Sequence, residues 1–109
     1  MTVEVLYVHG CPNLKPALQQ LKSILSEEGV DSPIVELQVE DQRTAQTLNF
    51  PGSPTIRING TDIEATLRRA APAGLSCRTY LVEGRPVGTP GVDMIRAAVR
   101  KARSRGEET

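Results

Sequence analysis

The chain has 109 residues, enough for one domain with a modest core and too few for two. Lysine plus arginine balance aspartate plus glutamate at 13 each, so no net field draws the chain to nucleic acid or an anionic membrane surface. Its three aromatic side chains (Tyr7, Phe50, Tyr80) are too few for a base-stacking platform, and no apolar run approaches the roughly 20 residues of a membrane span.

The opening "MTVEVLYV" has no basic stretch ahead of its apolar residues, so it does not read as a signal peptide. Its core "VEVLYV" (3–8) is short, β-branched and nearly all apolar, the composition of a central strand buried on both faces. Residues 14–28 read as a helix with Leu14, Ala17, Leu18, Leu21, Ile24 and Leu25 on one face, stopped by Gly29. In "PIVELQV" (33–39), Val35, Leu37 and Val39 alternate with Glu36 and Gln38 as in a second strand. "DQRTAQTLNF" is a short helix with Asp41 as N-cap and with Ala45 and Leu48 facing inward.

After "PGSPT" comes the strand "TIRI", then Asn59-Gly60, the strongest hairpin signal in the chain. Asn59-Gly60-Thr61 also matches a glycosylation sequon, but without an export signal it reads as the turn. "EATLRRAAPAG" fits either a short helix or an irregular crossing. "CRTYLV" (77–82) reads as the next strand. "TPGVDMIRAAVRKA" closes the fold as a helix, with Thr89 as N-cap, Pro90 at the first helical position and Asp93 in the first turn. The domain thus spans 1–103, and the charged remainder, 104–109, reads as a flexible tail.

The order β-α-β-α-β-β-α implies a mixed four-stranded sheet with helices on both faces: a parallel pair from the strand-helix-strand unit, then an antiparallel hairpin. On these elements, together with "GCPN" before the first helix and "GSPT" before the third strand, the chain resembles the thioredoxin superfamily over roughly residues 3–103. Within it, "GCPN", "FPGSPTIRING" and "GLSCRTY" are similar to small bacterial members, some of them labelled alkylmercury lyase. The resemblance implies a thioredoxin-like α/β fold and a cis Ser53-Pro54 bond facing a reactive Cys11. It also implies that Pro54-Thr55 offers backbone to an extended substrate.

One departure stands out. Where the redox motif runs Cys-x-x-Cys, this chain has Cys11-Pro12-Asn13-Leu14. Leu14 continues the apolar stripe and is expected to point into the core. Cys11 therefore acts alone, or its resolving thiol comes from elsewhere, with Cys77 the only candidate within the chain. A sulfur ahead of a helix N-terminus meets unpaired N–H groups and the positive end of the dipole, which favour a thiolate. His9 is an added charge or base, or simply an exposed strand-end residue. With Asn13 as the N-cap, Pro16 falls at the third helical position, where no donor is needed. Arg78 stabilises a thiolate or a bound anion, or is a charge at a strand edge. In a simple sheet, the start of the last strand lies at the pole opposite Cys11, and only the long 61–76 segment argues that Cys77 reaches it.

Two cysteines without an export signal point to a reducing cytoplasm. Two cysteines and one histidine fall short of a four-ligand structural zinc site, though two thiolates suit a soft ion. The expected function is thiol–disulfide chemistry through Cys11 on a protein or low-molecular-weight thiol, as an oxidoreductase without a cofactor. The alternatives are handling of a soft metal ion or organomercurial by Cys11 and Cys77, or a non-catalytic domain. The thin core leaves room for a homodimer.

Overall fold

The computed structural model describes residues 1–64 and 74–107. Its main sheet has the order β2-β1-β3-β4, built from β1 (Val3–Tyr7), β2 (Ile34–Gln38), β3 (Thr55–Ile58) and β4 (Thr61–Asp62). β1 runs parallel to β2 and antiparallel to β3, and β3 is antiparallel to β4. The central place of β1 follows from its composition, since a strand flanked on both edges and covered on both faces has no position for an exposed polar run. The β3–β4 turn is Asn59-Gly60 with both residues at positive φ, 53° and 80°, which suits a two-residue hairpin.

Alternation along β1 divides the core. Val3 and Val5 face α1 (Leu14–Glu27) and α3 (Val92–Glu107), joining Leu21, Ile24, Ile56, Ile95 and Val99. Leu6 faces the other way, onto a smaller cluster of Val39, Ala45 and Phe50 under α2 (Gln42–Thr47). Asp41 caps α2 by accepting the Thr44 N–H at 2.7 Å, and the hydrogen bond holds its carboxyl below the usual aspartate range. Gly29, at φ +68°, ends α1 in paired return bonds, from its own N–H to Ser26 O and from Val30 N–H to Leu25 O. Among the described residues, no helix is long and apolar enough to cross a membrane.

Three sequence expectations are corrected here. Residues 77–82 do not supply the fourth strand of the sheet; that place belongs to the two-residue β4. Instead β5 (Tyr80–Val82) pairs with β6 (Arg85–Val87) in a separate hairpin, turned by Glu83-Gly84 at φ 53° and 77°. Pro86 hides β6 in the sequence, yet a two-stranded ribbon has free edges on which a proline is tolerated. Secondly, α3 starts at Val92 rather than after Thr89. Its first bonds run from Met94 and Ile95 N–H to Gly91 O, with buried Pro90 ahead of it. It continues to Glu107, through residues expected to be tail. Thirdly, β2 is an edge strand whose Val35 and Leu37 are exposed, at 44% and 37%. The six-residue α2 does not cover them. The "ATLRRAAPA" part of the unassigned crossing (65–73) lies outside the described residues.

α3 is fastened to the C-terminal end of α1 by charge. Arg96 reaches Glu27 at 2.8 Å, while Arg100 and Arg103 reach Glu28 at 2.9 and 3.0 Å. The hydrogen bond from Arg100, opposed in part by desolvation, holds the Glu28 carboxyl below the ordinary glutamate range. A carboxylate with a depressed folded-state pKa contributes stability above its unfolded pKa and loses it as pH falls through the folded one. Glu28→Gln is therefore expected to lower the melting temperature at neutral pH by a margin that closes in acid. Parallel melts of both proteins across that range check it; a margin independent of pH would assign the loss to packing.

Candidate functional site

Cys11 is set by a tight turn at the end of β1. Val8 N–H donates to Ser53 Oγ at 3.1 Å, and Cys11 N–H closes back on Val8 O at 3.2 Å. Gly10 makes the reversal at φ +75°, and Leu14 N–H then bonds to Cys11 O at 3.3 Å. Cys11 is left half-buried directly ahead of α1, with His9 exposed beside the turn. Asn13 is the N-cap residue as expected, but its side chain makes no capping bond. Its carboxamide lies against Gly88, where a Cβ would stand 2.5 Å from Nδ2. The loop before α3 thus packs on the start of α1. Leu14 is partly buried against the main core, so it does not face Cys11 as a lost resolving position would.

Ser53 is the junction of the site. Its side chain holds the Val8 turn, and its backbone is engaged on the other side by the chain's own segment. Ser53 N–H donates to Ser76 O at 2.8 Å, and Arg78 N–H donates to Ser53 O at 2.9 Å, a parallel bridge that sets Cys77 beside Ser53. The peptide bond from Ser53 to Pro54 is cis. Pro54 and Thr55 are both buried; Pro54 O accepts the Tyr80 hydroxyl at 2.6 Å, and Thr55 Oγ1 donates to Gly52 O at 2.6 Å. Gly52 permits the close approach: at φ +137°, a Cβ there would fall 2.9 Å from Arg78 Cβ and 3.1 Å from Ser76 O.

Of the two placements left open for Cys77, the one at the opposite pole assumed that it opens a strand of the main sheet, which it does not. Cys77 precedes the β5–β6 hairpin instead of opening a strand of the main sheet, and its bridge to Ser53 brings it to the Cys11 end. Cys11 and Cys77 are free thiols; Cys77 is exposed, Cys11 only partly so. Val8, Ser53 and Cys77 stand side by side across this end of the sheet, and the Cys11 turn hangs from the first of them.

Arg78 is not an edge charge. It is 4% exposed and donates to Asp62 through both Nη1 (2.6 Å) and Nη2 (2.8 Å), to Glu64 at 3.3 Å and to Thr55 Oγ1 at 3.1 Å. Its guanidinium lies 4.1 Å from the centre of the Tyr80 ring. Burial works against its charge, but the Asp62 bonds and its other partners more than offset this and raise its pKa. The same burial pushes the Tyr80 hydroxyl well above its ordinary range, so Tyr80 remains a neutral donor to Pro54 O.

Asp62, Glu64 and Tyr80 are members of this site that sequence reasoning did not single out, and Gly52 and Ser53 entered it only through the "GSPT" stretch and the cis bond. Gly52 within "PGSPT" was the available signal. The carboxylates gave none, since nothing local marks a surface-type residue as the partner of a cation elsewhere in the chain. Among the described residues, no group of three or more His, Cys, Asp or Glu side chains is placed to hold a metal ion. No known family model, no curated protein and no solved structure matches the chain.

Proposed function

We propose that the protein is a thioredoxin-like thiol–disulfide exchange protein in which Cys11 attacks and Cys77 resolves. The observation that carries this reading is that Ser53 links both cysteine segments, its Oγ holding the Val8 turn that leads to Cys11 and its backbone bridging Cys77, at the end of a mixed sheet whose β1–α1–β2 unit and β3–β4 hairpin fit the thioredoxin resemblance. The chemistry balances with a low-molecular-weight disulfide as oxidant. The Cys11 thiolate attacks one sulfur of oxidised glutathione, forming a mixed disulfide and releasing a glutathione thiolate. The Cys77 thiolate then attacks the Cys11 sulfur and expels the second glutathione thiolate. Two protein thiols are oxidised, one glutathione disulfide is reduced, and the leaving thiolates take up the protons. Run backwards, the same steps reduce a partner's disulfide.

Oxidised glutathione is expected to convert the wild type to a form lacking two hydrogens, with no free thiol. Cys77→Ser should stop at a glutathione adduct on Cys11. Cys11→Ser should react at Cys77 at least tenfold more slowly. Mass spectrometry with alkylation timing checks all three. If Cys77 reacts first, attack begins at Cys77 and Cys11 is a packing residue.

The placement of both cysteine segments on Ser53 supports a second reading, in which the two thiolates bind one soft ion or an organomercurial. Titration with a mercuric salt separates the readings: retention of one ion per chain against excess glutathione favours the carrier, and loss of the ion to glutathione favours exchange.

A further inference from the structure

Arg78 lies in a stretch without regular secondary structure, yet its side chain is 3% exposed, and its Nε has no hydrogen-bond partner among the described residues. Burying a cation this way is an expensive route to stability, because an apolar side chain of similar volume commonly does as well or better. What an apolar side chain cannot do is fix register. The guanidinium ties together Thr55 at the start of β3, Asp62 in β4, Glu64 beyond it and the Tyr80 ring of β5. The backbone N–H of the same residue is bonded to Ser53 O. A planar fork with fixed donor directions accepts few placements of its own Cα when four groups hold it. Cys77 is the residue immediately before that Cα.

We propose that Arg78 is a positioning residue, which holds Ser76–Arg78 in register on Ser53 and so sets where Cys77 stands relative to Cys11. Its consequence for reactivity rests on the thiol-exchange reading above, while the geometry does not. An ordered segment raises the effective concentration of one thiol at the other, so the disulfide forms more completely at a given ratio of reduced to oxidised glutathione.

The test is the equilibrium constant for Cys11–Cys77 pairing in glutathione buffers, measured on the full chain. Arg78→Met is expected to lower it at least tenfold, and Arg78→Lys to recover part of the loss because it restores the charge without the fork. Where Arg78→Met does not fold, Asp62→Asn and Arg78→Lys carry the measurement. Glu28→Gln, at the far end of α1, should lower the melting temperature without moving the pairing constant. A constant within twofold of wild type in every folded variant would overturn the proposal and leave Arg78 a packing residue.

A wild type that never pairs would instead sink the exchange reading. Positioning is then read from amide hydrogen exchange at Ser53 and Arg78. Protection there should fall at least tenfold in Arg78→Lys or Asp62→Asn while Val5, in β1, keeps its own. Unchanged protection at Ser53 and Arg78 would overturn positioning whatever the thiols do.

Discussion

Replacing Gly52 with alanine is expected to lower stability by about 3 kcal/mol or more, the sum of a strained backbone and an overpacked contact. A φ of +137° is open to glycine and strained for a residue with a Cβ, whatever space surrounds it. Here there is no space either. The new methyl would meet Arg78 Cβ at 2.9 Å, Ser76 O at 3.1 Å and Arg78 Cα at 3.2 Å. Two of those three contacts are backbone atoms of the bridge to Ser53, so the strain cannot be relieved by rotating a side chain. For a domain of this size, the loss corresponds to a drop in melting temperature of roughly 12–24 °C. Denaturant unfolding measures the free energy directly; a loss below about 1 kcal/mol would mean that the 76–78 segment moves aside freely, against the close packing described. Gly10→Ala is the useful contrast, since its Cβ would meet nothing within 4 Å and only the φ of +75° opposes it.

Arg78→Ala is expected to cost about 3–5 kcal/mol, the range for removing one member of a buried ion pair and leaving the other unmatched. The carboxylates of Asp62 and Glu64 are 14% and 11% exposed, so water reaches each only in part once the guanidinium is gone. Tyr80 loses the cation on its ring, and Thr55 Oγ1 loses a donor. A double-mutant cycle with Asp62→Asn isolates the pairwise share, because part of the loss in Arg78→Ala is the stranded charge of Asp62 and disappears when that charge is removed. Additive losses would show that the pair contributes no coupling and that Arg78 acts only by its volume.

Much of this fold could be read locally. The continuous apolar run of β1, the stripe on α1, the Asp41 cap and the Asn59-Gly60 turn each depend on residues adjacent in sequence, and each occurs as read. The misread parts depend on distant residues. Val35 and Leu37 alternate as an inward face would, but alternation says nothing of whether a helix is long enough to cover them. Cys77 and Arg78 have the composition of a strand start, and their actual place is decided by Ser53 and by carboxylates contributed at Asp62 and Glu64. Arginine is rarely buried without partners, so its burial here is a property of the whole cluster and not of its own neighbourhood. For the same reason the candidate site was half legible: the Cys11 turn announced itself, and the segment that meets it did not.

The edge at β2, which no described strand pairs on its outer side, bears on how the protein behaves at high concentration. Its outward backbone groups are unpaired within the sheet, Glu36 is its single charge, and it presents two adjacent same-face aliphatic side chains, Val35 and Leu37. Such an edge can template the addition of further strands from other molecules, and natural sheets commonly blunt theirs with lysine or other charges or with a proline within the strand. The nearest proline here, Pro33, stops one residue short of the strand. This edge is therefore a route to self-association at high concentration. Val35→Lys, at a side chain already 44% exposed, is expected to raise the concentration at which turbidity begins while leaving the cysteine end of the sheet untouched.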